Sequence, residues 1–244
     1  MRKANLLEIY LAIQGEGIYV GEKQIFIRFA GCNLRCKTCD TPFSLTIPKV
    51  CKIKNDTNFT ELPNPLTVHQ VVSVVKGINP VCYSISLTGG EPLLQVDYLE
   101  KLLPVLKSEG FEIYLDTNGT ISKALSTIIS WIDIIAMDIK LRSVTGLPYF
   151  WKEHKGFLKL ANKKEVFVKI VVSNNTLDEE IGEASSLIKS INQDIPLVLQ
   201  PIAKIGSYDN SPSLQKLLHF RDIAARQIPN IRIIPQIHKI AGWE

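Results

Sequence analysis

Gln24-Ile25-Phe26-Ile27-Arg28-Phe29-Ala30-Gly31-Cys32-Asn33-Leu34-Arg35-Cys36-Lys37-Thr38-Cys39 joins an apolar, strand-like run to three cysteines spaced C-x₃-C-x₂-C. Runs of the same kind recur at Tyr83–Leu87, Glu112–Asp116, Ile134–Ile139, Val166–Val172, Leu197–Gln200 and Ile231–Pro235. Short runs rich in Val, Ile, Leu and Phe that alternate with helical segments are the pattern of parallel βα units. The helical segments expected between them are Thr67–Lys76 with Thr67 as N-cap, Leu93–Ser108 ending at Gly110, Leu177–Ser190, and Ser213–Arg226. Pro104 is expected to kink or split the second of these, because it removes a backbone donor and crowds the preceding turn. Two stretches, Pro42–Pro65 and Arg142–Leu160, read as irregular insertions.

Parallel strands joined by crossovers gather their βα loops at the carboxyl ends of the strands, where function is expected. The polar signatures fall at that end: Gly31-Cys32 after the first strand, Thr88-Gly89-Gly90-Glu91-Pro92 after the second, and Asp116-Thr117-Asn118-Gly119 after the third. Asp138-Ile139-Lys140 closes the fourth and Gln200-Pro201 the sixth.

The 244 residues are 45% apolar and 21% charged, which excludes disorder as the main theme. A net charge of +4, carried by scattered basic residues, is too small to argue for nucleic acid. The apolar stretch near the N-terminus is too short for a secretory segment, and no uncharged run suits a membrane span. A cytoplasmic protein with no membrane or nucleic-acid partner is expected.

Five cysteines, at 32, 36, 39, 51 and 82, are an odd number in a chain expected to stay in a reducing compartment, so their clustering points to metal rather than to disulfides. Soft thiolates select iron–sulfur clusters or zinc. A cubane cluster normally takes four cysteines, and three would leave one iron open for chemistry. A structural zinc site would need a fourth ligand, for which Cys51 is near enough in sequence. Otherwise Cys51 and Cys82 read as bystanders.

The cysteine triplet directly after the first strand, together with Gly89-Gly90-Glu91-Pro92 after the second, resembles the radical S-adenosylmethionine (SAM) superfamily. Gln14-Gly15-Glu16-Gly17, Arg28, Cys39-Asp40-Thr41 and Gln236-Ile237-His238-Lys239 are similar to those members that contract a carboxylated tetrahydropterin to a 7-deazaguanine with loss of ammonia. The resemblance implies an incomplete (β/α)₆ barrel in a single domain, 1–244, with the 42–65 insertion and a substrate-closing segment at 229–244. It implies a [4Fe–4S] cluster on Cys32, Cys36 and Cys39, and SAM held by Thr38, Asp40, Gly90, Asp138, Lys140 and Gln200. The open iron would chelate SAM, and the 5′-deoxyadenosyl radical released by its cleavage would take a hydrogen atom from substrate.

Thr41 would meet Mg²⁺, and Ile13, Gln14, Gly15, Glu16, Arg28, Thr88, His238 and Glu244 would meet the substrate. The resemblance also implies a homodimer fed by an electron donor such as flavodoxin or ferredoxin. Three of these positions carry readings of their own. Asp138 and Lys140 are two apart on a strand and can pair with each other or share a ligand. Arg28, in an apolar strand, needs either a ligand carboxylate or an internal salt bridge. Lys169, on one face with Phe167 and Val171, either projects into the barrel or snorkels to its rim. Two alternatives share parts of the pattern: an activase that installs a glycyl radical on a partner protein has the triplet and the Gly-Gly-Glu-Pro turn, and a non-enzymatic zinc module needs only the cysteines.

Overall fold

The structure, a computed structural model, describes residues 2–54, 59–78, 82–203 and 210–242. In chain order the strands are β1 (Lys3–Ala4), β2 (Leu6–Ile13), β3 (Lys23–Phe29), β4 (Val50–Lys54), β5 (Phe59–Pro63), β6 (Leu66–Thr67) and β7 (Ser84–Gly89), then β8 (Ile113–Thr117), β9 (Ile134–Asp138), β10 (Glu165–Val172), β11 (Leu197–Pro201) and β12 (Ile231–Ile233). The helices are α1 (Val68–Ile78), α2 (Val96–Ser108), α3 (Ser122–Ile128), α4 (Arg142–Thr145), α5 (Trp151–Ala161), α6 (Asp178–Ile191), α7 (Leu214–Ala225) and α8 (Ile237–Ala241).

Seven strands run parallel in the order β12-β11-β10-β9-β8-β7-β3, the incomplete barrel that the sequence implied. The sheet stays open. Beyond β3 it continues through β2, which pairs antiparallel, then β4, parallel to β2, and β5, antiparallel to β4. These three strands correct the sequence reading, which found none at the N-terminus and took Pro42–Pro65 as irregular. Adjacent Leu6 and Leu7, with Tyr10 and Ala12 between Ile9, Leu11 and Ile13, blur the alternation of β2, and the short segments 50–54 and 59–63 become strands only where β4 pairs with β2 and β5 with β4.

The helices of the crossovers cover one face of the sheet over an apolar core that includes Ile27, Leu87, Leu102, Phe157, Ile170 and Phe220. On the other face a smaller cluster of Tyr114, Ile134, Ala136, Phe167 and Val198 forms the floor of the barrel, with Ile18 and Tyr19 packed on it. Gly17, at φ +69°, lies so close to the Phe167 ring that a Cβ would stand 2.5 Å from it. This contact turns residues 14–19 into the barrel.

Helix termini follow the expected chemistry. Thr67 and Gln70 cap α1 reciprocally: Gln70 N donates to Thr67 Oγ1 at 3.3 Å and Thr67 N to Gln70 Oε1 at 2.9 Å. Ser213 Oγ accepts from Lys216 N at the start of α7. α2 runs through Pro104 without a break, so the proline does not split it. The carbonyl that loses its donor to Pro104 is that of Glu100, an exposed residue, where water can satisfy it.

Arg142–Leu160 is also corrected, from an insertion to the short helix α4 followed by α5. His154, Phe157, Leu158 and Ala161 are buried at helical spacing along α5, but a histidine at the first position and Gly156 inside disguise the period. Phe157 is fully buried. Phe157→Ala is therefore expected to destabilise the protein by about 3–5 kcal/mol, read as a lower urea midpoint with an unchanged denaturant slope.

Candidate active site

The cysteine loop leaves β3 with its backbone already tied to neighbouring loops. Gly31 N donates to Ser44 O, Glu91 N donates to Gly31 O at 2.8 Å, and Lys37 N donates to Thr145 O at 2.9 Å. The Thr38 hydroxyl donates to Val144 O. At the turn after β7, a Cβ on Gly90 would lie 2.0 Å from the Gly31 carbonyl oxygen, and one on Gly89, at φ +123°, would lie 2.3 Å from Phe29 O. The two glycines are needed for this close backbone approach.

Glu91 is completely buried and its carboxylate accepts from Leu93 N, the Thr117 hydroxyl and Asn118 N at 2.8–3.1 Å. Burial pushes this carboxyl up to about 7 against those donors. Asn118 in turn donates to Asn33 Oδ1 at 2.8 Å and approaches Cys32 Sγ at 3.9 Å. His154 supports the same turn, with Nε2 3.2 Å from Asn118 O. A carbonyl can only accept, so the ring carries its proton on Nε2. Burial lowers the imidazole pKa to about 4.

Cys32, Cys36 and Cys39 line one cavity of about 960 Å³ at the carboxyl ends of the strands. Cys51 is buried in β4 and, like Cys82, does not face it, so neither supplies a fourth thiol there. Burial raises the Cys32 thiol and takes that of Cys36 to about 11, and binding of a metal centre would displace both protons. Among the described residues no three His, Cys, Asp or Glu side chains converge on one metal-sized point. Three soft donors on one loop suit a multi-iron cluster, whose corners each take a separate thiolate. Thr41 lines the cavity with its hydroxyl 4.0 Å from Cys39 Sγ.

Asp138 and Lys140 pair at 2.7 Å, so the sequence reading of two neighbours on one face holds. Asp138 Oδ1 and Gln200 Oε1 are buried on this cavity without a protein partner. Orphaned acceptors of this kind fit a ligand rich in hydroxyl and amine donors, as SAM is. Asp40 accepts from Gln236 Nε2 at 3.0 Å and lies 3.7 Å from Lys239.

The remaining candidates line the same cavity, Glu244 excepted, which lies outside the described residues. Arg28 is satisfied internally, by Glu8 at 2.8 Å and the Tyr10 hydroxyl. Thr88 donates to Asp116 at 3.1 Å. Gln14 is committed to structure, since its amide donates to Gln24 and accepts from Glu16 N. His238 lies over Gly15, and Ile237 N donates to Gly15 O at 2.9 Å. Lys169 projects inward, the first of its two sequence readings, and pairs with Glu16 and Asp116. Sequence reasoning missed Glu8, Tyr10, Lys52 and Lys54, which line the cavity from β2 and β4; the alternation of Lys52 and Lys54 with Cys51 and Ile53 was the only available signal.

The sequence profile of the Radical SAM superfamily matches residues 26–188. A 7-carboxy-7-deazaguanine synthase of Geobacter sulfurreducens is 42% identical over 98% of this chain and 97% of its own length. The chain belongs to the 7-carboxy-7-deazaguanine synthase family of radical SAM enzymes. A synthase of Methanopyrus kandleri is 33% identical over 98% of this chain and 94% of its own. Among solved structures, QueE from Escherichia coli superposes with a TM-score of 0.60 at 21% identity, over 97% of this chain and 95% of that one, a likeness of fold. As a member of that family, the chain takes the radical SAM cofactors, a [4Fe–4S] cluster and SAM.

Two outcomes test the site. Gly90→Ala sets a methyl group against the Gly31 carbonyl and is expected to abolish iron incorporation, measured as iron per chain after anaerobic reconstitution. The second concerns acid stability. The unfolded imidazole of His154 binds its proton near pH 6.5 and the folded one near 4, so protonation favours the unfolded chain; the contribution is complete above 6.5 and is lost as pH falls toward 4. His154→Gln, which keeps a donor for Asn118 O, should flatten the fall in unfolding free energy across that window.

Proposed function

We propose that the protein converts 6-carboxy-5,6,7,8-tetrahydropterin to 7-carboxy-7-deazaguanine with release of ammonia, a carbon–nitrogen lyase step toward queuosine-type and other 7-deazapurines. The observation that carries this reading is that the three cysteine thiols, the Asp138–Lys140 pair and the Glu16–Lys169 pair line one cavity. When bound, the [4Fe–4S] cluster and SAM supply hydrogen-atom abstraction by a carbon-centred radical, and Mg²⁺ supplies a cation for the substrate carboxylate.

This chain's residues do the rest. Cys32, Cys36 and Cys39 hold the cluster, and Thr41 offers a hydroxyl to Mg²⁺. Thr38, Asp40 and Gly90 shape the SAM side, where Asp138, Lys140 and Gln200 offer charge and free acceptors. Glu16 accepts from the amide-like edge of the pterin. Arg28, whose Nε is taken by Glu8 and Nη2 by Tyr10, lines the substrate side and offers its positive charge to the ligand carboxylate. Ile13, Gln14, Gly15, Thr88 and His238 wall the substrate in and exclude water.

The C-terminal segment, tied by Gln236 to both Glu16 and Asp40, covers the cavity and favours a free small molecule over the protein segment an activase must admit. A single domain, 1–244, carries the activity, supported by the one large sheet that runs through it. No helix among the described residues is long and apolar enough to cross a membrane. We place the enzyme in the cytoplasm as a homodimer fed by flavodoxin or ferredoxin. Anaerobic incubation with reductant, SAM, Mg²⁺ and the carboxypterin is expected to yield 7-carboxy-7-deazaguanine by mass spectrometry. Recovery of 5′-deoxyadenosine without the deazaguanine would keep the superfamily and reject this substrate.

A further inference from the structure

Among the described residues, Lys169 is the one buried cation on the cavity to which the reaction as described gives no role. Its side chain is 6% exposed, and it stands mid-strand in β10, in register with Asp138 on β9. Its ammonium bonds Glu16 Oε2 and lies 3.5 Å from Asp116 Oδ1. The other Glu16 oxygen accepts from Gln236 Nε2. Glu16 is thus clamped between the barrel strand β10 and the C-terminal segment, while Gly17 packs on Phe167 two residues before Lys169. Burial alone would raise the Glu16 carboxyl, but the charge and hydrogen bond of Lys169 hold it below the ordinary carboxylate range.

We infer that Lys169 is a positioning residue for substrate specificity: it keeps Glu16 ionised and oriented so that its free lone pairs meet two adjacent N–H donors on the pyrimidine edge of the substrate. A protonated Glu16 would present one donor and lose half of that pattern, whereas a carboxylate accepts from both. Asp116 completes the arrangement. It balances the ammonium from the other side and also accepts from Thr88, so the same lysine links the loop after β2 to strand β8 beside the ligand.

The inference rests on the proposed pterin substrate, and calorimetry on cluster-loaded protein with 6-carboxypterin and SAM as separate probes tests it. Lys169→Met is expected to weaken 6-carboxypterin binding about tenfold or more, the loss of a charge-assisted hydrogen bond, with SAM affinity and iron content unchanged. Lys169→Arg, which keeps the charge, should recover most of that loss. In a Glu16→Gln background Lys169→Met should cost nothing further, because the lysine acts through that carboxylate. Unchanged pterin affinity in Lys169→Met, an undiminished loss in the Glu16→Gln background, or a parallel loss of SAM or iron in both lysine variants would each overturn the assignment. Failure of the unmodified protein to bind 6-carboxypterin would overturn the functional reading itself, and the assignment with it.

Discussion

A buried carboxylate holds the catalytic end of this barrel together. Glu91 sits in the turn after β7, sends its backbone N–H to Gly31 at the root of the cysteine loop, and receives Leu93, Thr117 and Asn118 on its side chain. Three βα loops that are far apart in sequence therefore share one residue. The arrangement requires that the backbones meet, which is why glycine stands at 89 and 90, and that the carboxylate find donors for both oxygens, because an unsatisfied buried carboxylate would cost more than the turn could return. The position of the three thiols follows from it.

A second constraint works from the opposite side. Residues 14–19 fold into the barrel because Gly17 lets the chain lie on the Phe167 ring and because Tyr19 packs among Tyr83, Tyr114 and Phe167. Glu16 is delivered to Lys169 by this packing. Gln236 then bridges Glu16 to Asp40, so residues 14–19, the cysteine loop and the C-terminal segment are joined through two carboxylates and one amide. Beyond the parallel strands, β2 and β4 extend the cavity wall with Glu8, Tyr10, Lys52 and Lys54. The stretch Pro42–Pro65 is thereby part of the active-site wall rather than an appendage.

Legibility along the chain tracked the source of each element's stability. The parallel strands β3 and β7–β12 were readable within one or two residues at nearly every boundary, because all but the edge strand β12 lie inside the sheet, where burial on both faces calls for continuous apolar runs. β2, β4 and β5 were not, since each is half exposed and borrows its order from neighbours. Helix α5 was hidden by His154, whose neutrality depends on burial and on the Asn118 carbonyl, two facts that exist only after folding.

At the site the division is similar. The sequence by itself determined the ligand chemistry: three soft donors in a short loop, a glycine turn that permits close approach, and an Asp–Lys pair whose two-residue spacing places both on one face. The tertiary structure alone decided which charges meet. Arg28 turned out to be held by Glu8 from an unrecognised strand, and Lys169 by Glu16, 153 positions away in the chain. Spacing rules reach only a few residues along a strand or helix, whereas a buried ion pair is chosen by which loops the packed core brings within a few ångströms of each other.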